Sequence, residues 1–481
     1  MSEHRSVAAG VTTGWETVIG LEVHTELATA TKLFCACRNA FGDEPNTNIC
    51  PVCLGLPGSL PVLNRQSVEL AMRVGLALHC RVEPSIFHRK NYFYPDMPKD
   101  FQVSQYDQPI NVGGWLDLPD GSRVGVTRAH MEEDTGKSTH VGGDGGRIHG
   151  ADHSLVDYNR AGVPLVEIVS EPDIRSSEQA KAYVNELRAI LVAIGASDAR
   201  MEEGSLRIDA NISMRRVGAA EFGTRAEIKN LNSVRSLGRA VDYEVRRQTD
   251  RLETGEAIVQ ETRHWNEDEG RTSSMRSKEE AFDYRYFPEP DLVPLAPSDD
   301  WQAAVRAALP ALPAERRAAL AVAAGVAAGD PSLATVVQQG LDDLVVAAVA
   351  EGADGRLALN RAANELPNRA VPDARAFAAV LKMEAGGRLT ATQAKVVLAE
   401  LVVSGADPAD IAKANGFEAL DADVLVAAVD AAITRHPEEW ARYAGGDAKL
   451  AGFFVGKVMA ATKGKADGKS VTAILRERAA G

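Results

Sequence analysis

An α+β fold is predicted for residues 15–291, followed by an all-α helical domain and a small all-α tail. Three observations carry this prediction. Residues 15–290 combine Gly, Pro and aromatics with short runs in which apolar and polar residues alternate. From Trp301 onward Ala dominates, and apolar residues recur at helical spacing. Between the two textures lies PEPDLVPLAPSD, residues 288–299, whose four prolines cannot continue a helix.

Thr17–Leu27 sets Ile19, Leu21 and Val23 on one face and Glu22, His24 and Glu26 on the other, the two-residue period of a half-buried strand. Ser205–Met214 does the same, with Leu206, Ile208, Ala210 and Ile212 opposed to Arg207, Asp209 and Asn211. In Arg225–Asn230, Glu227 and Lys229 share a face. A helix is expected to open at Ser176, with Gln179 completing a capping box and Tyr183, Leu187, Leu191 and Ile194 forming its apolar stripe. Another spans about Ser233–Glu253 and stops at Gly255. Both stripes read as ordinary core. Helical patterns follow in Trp301–Leu309, Pro313–Ala328, Leu333–Ala350 and Asp373–Ala385, with no fixed repeat period that would indicate a solenoid. Gly405–Pro408 marks a second boundary. The expected organisation is therefore a disordered extension 1–14, a cradle 15–291, a helical domain 292–405 and a tail 406–481.

The 481 residues are too many for one core, and a charged fraction of 25% with 45% hydrophobic residues excludes collagen-like, coiled-coil and disordered classes. Residues 1–14 lack a signal-peptide apolar segment, and no apolar run is long enough for a membrane span, so a cytoplasmic protein is expected. The net charge of −14 argues against a wholly basic nucleic-acid coat. It averages over unlike parts, because the segment from Lys449 onward has five more basic than acidic residues, among them Lys457, Lys463, Lys465 and Lys469.

Four of the five cysteines form Cys35-x-Cys37 and Cys50-Pro-Val-Cys53, two close pairs across a loop. Four thiolates suit a closed, structural tetrahedral Zn²⁺ site; an Fe–S cluster would accept the same ligands. The lone Cys80 lies in an apolar stretch and reads as core.

Carboxylates are also in excess where strands should bury a face: Glu22 beside His24, Glu132-Glu133-Asp134 after His130, Glu167 within Leu-Val-Glu-Ile-Val, Glu202-Glu203, Asp209 and Glu227. A carboxylate in an apolar strand needs a partner. A shared Mg²⁺ or Mn²⁺ and ordinary ion pairs to the plentiful Lys and Arg both answer that need. No phosphate-binding loop accompanies them. Gly136-Lys137-Ser138 imitates the end of one, but Met131 stands where the loop's first glycine belongs. If ATP is used, Lys90, Lys137, Arg225 or Lys229 must clamp its phosphates.

Seven blocks then speak together: WETVIGLEVHTE (15–26), RKNYFYPDMPKDFQVSQYDQP (89–109), HMEEDTGKSTH (130–140), VPLVEIVSEPDIR (163–175), MEEGSLRIDANIS (201–213), AEIKNLNS (226–233) and DYRYFPEPDLVP (283–294). In sequence and order they closely resemble the B subunits of bacterial tRNA-dependent amidotransferases, over nearly the whole chain. The resemblance implies ATP- and Mg²⁺-dependent phosphorylation of the side-chain carboxylate of Glu-tRNA(Gln) or Asp-tRNA(Asn), then amidation by ammonia channelled from a glutaminase A subunit, with a small C subunit that holds the pair together. It implies a metal site on His24 and Glu133, with Glu22, Glu167 and Glu227 completing the shell or a second ion position. Asp209, Lys90 and Lys229 take metal or phosphate roles. It also implies a tail that grips tRNA and a retained zinc at Cys35, Cys37, Cys50 and Cys53.

Overall fold

A computed structural model describes residues 11–12, 14–142, 150–277, 284–367, 369–417, 422–462, 466 and 468–480. The described residues form two compact units that divide between Leu312 and Pro313.

The strands of the first unit are β1 (Val11–Thr12), β2 (Trp15–Glu26), β3 (Arg81–Val82), β4 (His88–Asn91), β5 (Phe101–Ser104), β6 (Asn111–Asp117), β7 (Arg123–Glu133), β8 (Lys137–Val141), β9 (His153–Asp157) and β10 (Pro164–Ser170), then β11 (Leu206–Arg216), β12 (Ala226–Lys229), β13 (Glu261–Asn266), β14 (Arg271–Ser277) and β15 (Phe287–Pro288). Apart from the β8–β9 hairpin they join one mixed sheet, whose main path runs β14-β13-β12-β11-β2-β10-β7-β5-β4-β15. β2 lies in its middle, antiparallel to both β10 and β11. The only parallel pair along this path among the described residues joins β12 to β13, and the crossover between them contains a helix, as parallel pairing requires.

Alternation assigns the two faces. Ile19, Leu21 and Val23 of β2, Ile208, Ala210 and Ile212 of β11, and Val166 and Ile168 of β10 are buried. Packed into the same core are the helices α1 (Arg65–Ala77), α2 (Ser177–Ala193) and α3 (Val234–Glu253). This is α+β architecture: a sheet with helices over one face and chemistry on the other. At α2 only half of the expected capping box forms. Ser176 Oγ accepts from the Gln179 backbone N–H at 3.2 Å, but Gln179 Oε1 accepts from Arg175 N at 2.9 Å, one residue before the cap. α3 ends as expected, with Gly255 at φ +81° after the C-cap Thr254.

The first boundary falls at residue 312, beyond the expected 291. The helix α4 (Asp299–Ala307) belongs to the first core through buried Val305 and through Trp301, Leu309 and Leu312. The Arg65 guanidinium also lies 4.3 Å from the centroid of Trp301.

The second unit is helical. α5 (Pro313–Ala324), α6 (Pro331–Gln338), α7 (Asp342–Ala350), α8 (Gly355–Glu365), α9 (Ala374–Ala385), α10 (Ala391–Ser404) and α11 (Pro408–Ala414) share one core. α12 (Ala422–Arg435), α13 (Pro437–Ala444), α14 (Ala451–Ala461) and α15 (Gly468–Ala480) share another, centred on Val429, Phe454, Val458, Val471 and Leu475. The expected single helix Leu333–Ala350 is two, bent by 109°. Gly340 adopts φ +66°, a left-handed conformation that ends α6, and the acidic pair Asp342-Asp343 opens α7. No single helix among the described residues is long and apolar enough to cross a membrane.

Candidate metal and nucleotide site

The register of β2 builds the site. His24 is paired with Glu167 of β10 on one side and Arg207 of β11 on the other, and Glu22 with Val169 and Asp209. Across β10, Glu167 pairs with His130 of β7, and Leu165 with Glu132. Because alternate residues share a face, Glu22, His24, Glu26, Glu167, His130, Glu132, Arg207 and Asp209 come to the side away from the core.

They separate into clusters. At the centre, His24 Nε2 is 3.4 Å from Glu167 Oε2 and 3.9 Å from Glu132 Oε1, while His130 Nε2 is 3.5 Å from the same Glu167 oxygen. One ligand atom from each of His24, Glu132 and Glu167 lies within 4.8 Å of the others. Burial would push His24 down, but its hydrogen bond to Glu167 and the charges of Glu167, Glu132 and Asp209 hold it at about 9. Burial and the Arg128, His24 and Lys90 charges push His130 to about 4 despite Glu167. Its Nδ1 is buried without a partner. Burial and the Glu167 charge raise Glu132, whose Oε2 accepts from Ser104 Oγ at 3.3 Å. Lys90 lies on this side too: burial would lower it, but Glu132 and neighbouring groups raise it, and its Nζ is 4.9 Å from the Tyr284 ring centroid.

Two residues along β2, Glu22, Asp209 and Glu227 also bring oxygens within 4.8 Å of one another. Here a lysine is already present. Lys229 Nζ is 2.6 Å from Asp209 Oδ2 and 3.1 Å from Glu227 Oε1. Asn211 Nδ2 donates to Glu22 at 3.0 Å, and Thr262 Oγ1 to Glu227 at 2.8 Å. Burial, then the Glu167, Glu227 and Asp209 charges, raise the Glu22 carboxyl. Glu22 opens onto a cavity of about 400 Å³ that Arg225 and the exposed ring of Phe222 line.

The five residues expected to share a magnesium site therefore divide, and Glu133 leaves it. The strand period that brings Glu132 to the polar face sends Glu133 to the other. There it is 2% exposed, accepts from Val103 N at 2.8 Å and pairs with Lys99. It lines a cavity of about 220 Å³ together with Cys35, Cys53 and Arg89. The sequence reading counted Glu132 among the carboxylates after His130 but left it out of the metal shell, although its two-residue spacing from His130 was the signal for it. Lys137, on the β8–β9 hairpin, lies at a separate cavity of about 640 Å³ with Glu26, Asp157 and Glu202, apart from the cavity that Arg225 lines.

The donor chemistry fits a divalent cation at the central cluster: carboxylate oxygens and one imidazole, with Glu132 raised by burial and the Glu167 charge while Glu167 is held low against its burial by His130 and His24. Four sulfurs fit a second metal. The Sγ atoms of Cys35, Cys37, Cys50 and Cys53 lie within 4.8 Å of one another, Cys50 and Cys53 are 3.9 Å apart, and Cys50 N donates to Cys53 Sγ at 3.1 Å. Hydrogen bonding from Cys35, aided by the Lys32 charge, lowers Cys53 to about 5 against burial. Lys32 is fully buried and donates to Tyr158 O at 3.1 Å. In the second unit, Lys457 lies on α14 over Phe453, and Lys469 is exposed on α15. Lys463 and Lys465 fall outside the described residues.

Residues 17–303 match the family model described as the GatB/GatE catalytic domain, and residues 343–478 match the GatB domain. The chain is 52% identical to the B subunit of the aspartyl/glutamyl-tRNA(Asn/Gln) amidotransferase of Frankia casuarinae, over 96% of this chain and 95% of that one. It is 50% identical to the protein of the same name in Mycobacterium sp. (strain KMS), over 96% and 95%, and 49% identical to that of Nocardia farcinica, over 97% and 96%. With both domain models in order and half of all residues identical across nearly its full length, this chain belongs to the GatB family.

Proposed function

We propose that this chain is the activating subunit of a glutamine-hydrolysing aminoacyl-tRNA amidotransferase. In this reading it works in the cytoplasm with a glutaminase A subunit and a small C subunit, and converts Glu-tRNA(Gln), Asp-tRNA(Asn) or both to the amidated forms. The observation that carries the reading is the central cluster: His24, Glu132 and Glu167 converge on the sheet's polar face beside Lys90, with a cavity opening next to them at Glu22.

The substrate's side-chain carboxylate is ionised at pH 7 and is itself the nucleophile, so the site must neutralise charge rather than remove a proton. A carboxylate oxygen attacks the γ-phosphorus of ATP, the bond to the β-phosphate oxygen breaks, and ADP departs with that electron pair. Ammonia then attacks the acyl carbon, phosphate leaves, and the nitrogen loses a proton to give the amide. In this reading Lys90 and Arg225 meet the phosphate oxygens, Lys229 does so from its pairs with Asp209 and Glu227, and Phe222 offers a ring to the base. Mg²⁺ held by His24, Glu132 and Glu167, with Glu22, Asp209 and Glu227 as a second carboxylate group, would neutralise the transferring phosphoryl group. Zn²⁺ at the four cysteines would brace the loop after β2. In the second unit, Lys457 and Lys469, with Lys463 and Lys465, serve the tRNA body; the tail is the group of helices α12–α15, because α11, expected to belong to it, packs into the core of α5–α10.

The test is the assembled enzyme with each misacylated tRNA, ATP and glutamine, scored for amidated aminoacyl-tRNA. Amidation of neither tRNA would sink the reading.

A further inference from the structure

Alternate residues of β2 head three polar groupings in a row. Glu22 meets Asp209 and Glu227, His24 meets Glu132 and Glu167, and Glu26 lies with Asp134, which Arg207 Nη2 reaches at 2.9 Å. Two residues of strand advance about 7 Å, so the row is about 14 Å long. A cavity opens at each end. The one at Glu22, with Arg225 and Phe222, serves the nucleotide in the reaction above. The one at Glu26 is the larger, about 640 Å³, and no step above uses it.

Resting on the reaction proposed above, we propose that the Glu26 cavity receives the aminoacylated terminal adenosine of the tRNA. Glu202 takes the free α-ammonium, Lys137 the adjoining phosphodiester, and Arg207 the side-chain carboxylate that is to be phosphorylated.

The lining is rich in carboxylates, with Glu26, Asp43, Asp157, Glu202 and Glu203 against Lys137 and Arg160, which suits a ligand that carries a free ammonium. An amino acid esterified to a ribose has lost its α-carboxylate, so it presents one ammonium, one side-chain carboxylate, a phosphodiester and a base. The cavity offers the exposed carboxylate of Glu202, the exposed ammonium of Lys137, the amide of Asn232 and the ring of Phe41, which is 74% exposed. Its volume lies within the roughly 300–1,000 Å³ of small-molecule sites. Arg207 does not line the cavity, but its charge acts on Glu26, which does, and so connects the cavity to the chemistry. It stands in register with His24, and although it pairs with Asp134 its side chain keeps about a third of its exposure, leaving donors of the guanidinium fork for a second carboxylate. A glutamyl or aspartyl group anchored at the Glu26 end would thus bring its carboxylate to the middle of the row, where a nucleotide entering from the Glu22 end brings its γ-phosphate. This divides the two substrates between opposite ends of one strand and makes Lys137 a tRNA contact rather than an ATP clamp.

The experiment uses the assembled amidotransferase with its aminoacyl-tRNA substrate and the same tRNA N-acetylated on the α-amine. The wild type should show a KM for the acetylated form raised by about tenfold or more, the value of one charged hydrogen bond lost. Glu202→Gln should raise the KM for the natural substrate to that of the acetylated one, erasing the discrimination, and Lys137→Gln should raise the KM for aminoacyl-tRNA while the KM for ATP is unchanged. Equal use of both substrates by the wild type overturns the proposal. So does discrimination that survives in Glu202→Gln, or a Lys137→Gln effect that appears in the KM for ATP. A wild-type enzyme that amidates no misacylated tRNA fails at the earlier reading, and is told apart by the absence of any product.

Discussion

Two carboxylate clusters sit two residues apart on β2, and they solve the same electrostatic problem differently. Around Glu22 the charge is met from within: Lys229 reaches both Asp209 and Glu227. Around His24 the nearest partners are imidazoles, one of which keeps a buried Nδ1 unpaired, and Glu132 is left with a raised carboxyl even though the Lys90 charge acts against it. A cluster closed by its own lysine is stable as it stands. A cluster met by histidines, with Lys90 beside it, gains more from a cation that arrives with the substrate, which is why the proposed reaction is centred there.

The sharpest way to break the comparison is His24→Ala. It should lower ATP-dependent acyl-phosphate formation by about 10²–10³-fold or more while glutamine hydrolysis in the complex continues. Normal amidation by this variant would remove the central cluster from the chemistry. Next come the adjacent glutamates. Glu132→Gln should cost about 10²-fold in the same step. Glu133→Gln should leave acyl-phosphate formation within about threefold, yet lower stability by roughly 3–5 kcal/mol through the stranded Lys99. The reverse ranking of the two would overturn the face assignment.

Metal removal contrasts an open site with a closed one. Chelation, or Cys50→Ser, should release one equivalent of metal, expose the remaining cluster thiols to alkylation and lower the melting temperature. Cys80, buried and pushed up to about 12 by that burial, should stay unreactive until the chain unfolds. Metal analysis that finds none bound, before and after, would return the four cysteines to ordinary packing. Lys229→Met should then make the outer cluster resemble the central one. A stability loss of about 1–3 kcal/mol, partly restored by millimolar Mg²⁺, is expected in thermal unfolding. The smallest effect concerns cations with no carboxylate cluster around them: Lys457→Gln with Lys469→Gln should flatten the log–log salt dependence of tRNA binding by about 0.7 per lost phosphate contact.

How much of this was legible in the sequence depended on the range of the interaction. The alternation in Glu22-Val23-His24 placed both groups on one face before any partner strand was known. The cysteine spacing likewise foretold four sulfurs within reach of one ion. The choice of Glu133 over Glu132 came from resemblance, where the local strand period favoured the other residue. That Lys137 and Arg225 belong to different cavities could not be read locally, because strands distant in sequence decide it. Nor could the helical reach of the first unit past residue 291, since Trp301 and Val305 look like any other amphipathic helix until α1 is seen beneath them.

The central position of β2 has a consequence for how the chain is made. His24 pairs with Glu167 and Arg207, which follow it by 143 and 183 residues. At about 5–20 residues per second of synthesis, the strand that carries the site leaves the ribosome roughly 7–30 s before the first of the two long strands that flank it. During that interval its apolar edge is a nucleus waiting for partners and a hazard for wrong ones, while the charged residues that later serve chemistry discourage association. The cysteine loop, complete by residue 53, is ready long before either partner strand. If the loop takes the metal proposed above, metal supplied during translation should raise the yield of folded protein, measured as soluble chain made with and without added Zn²⁺.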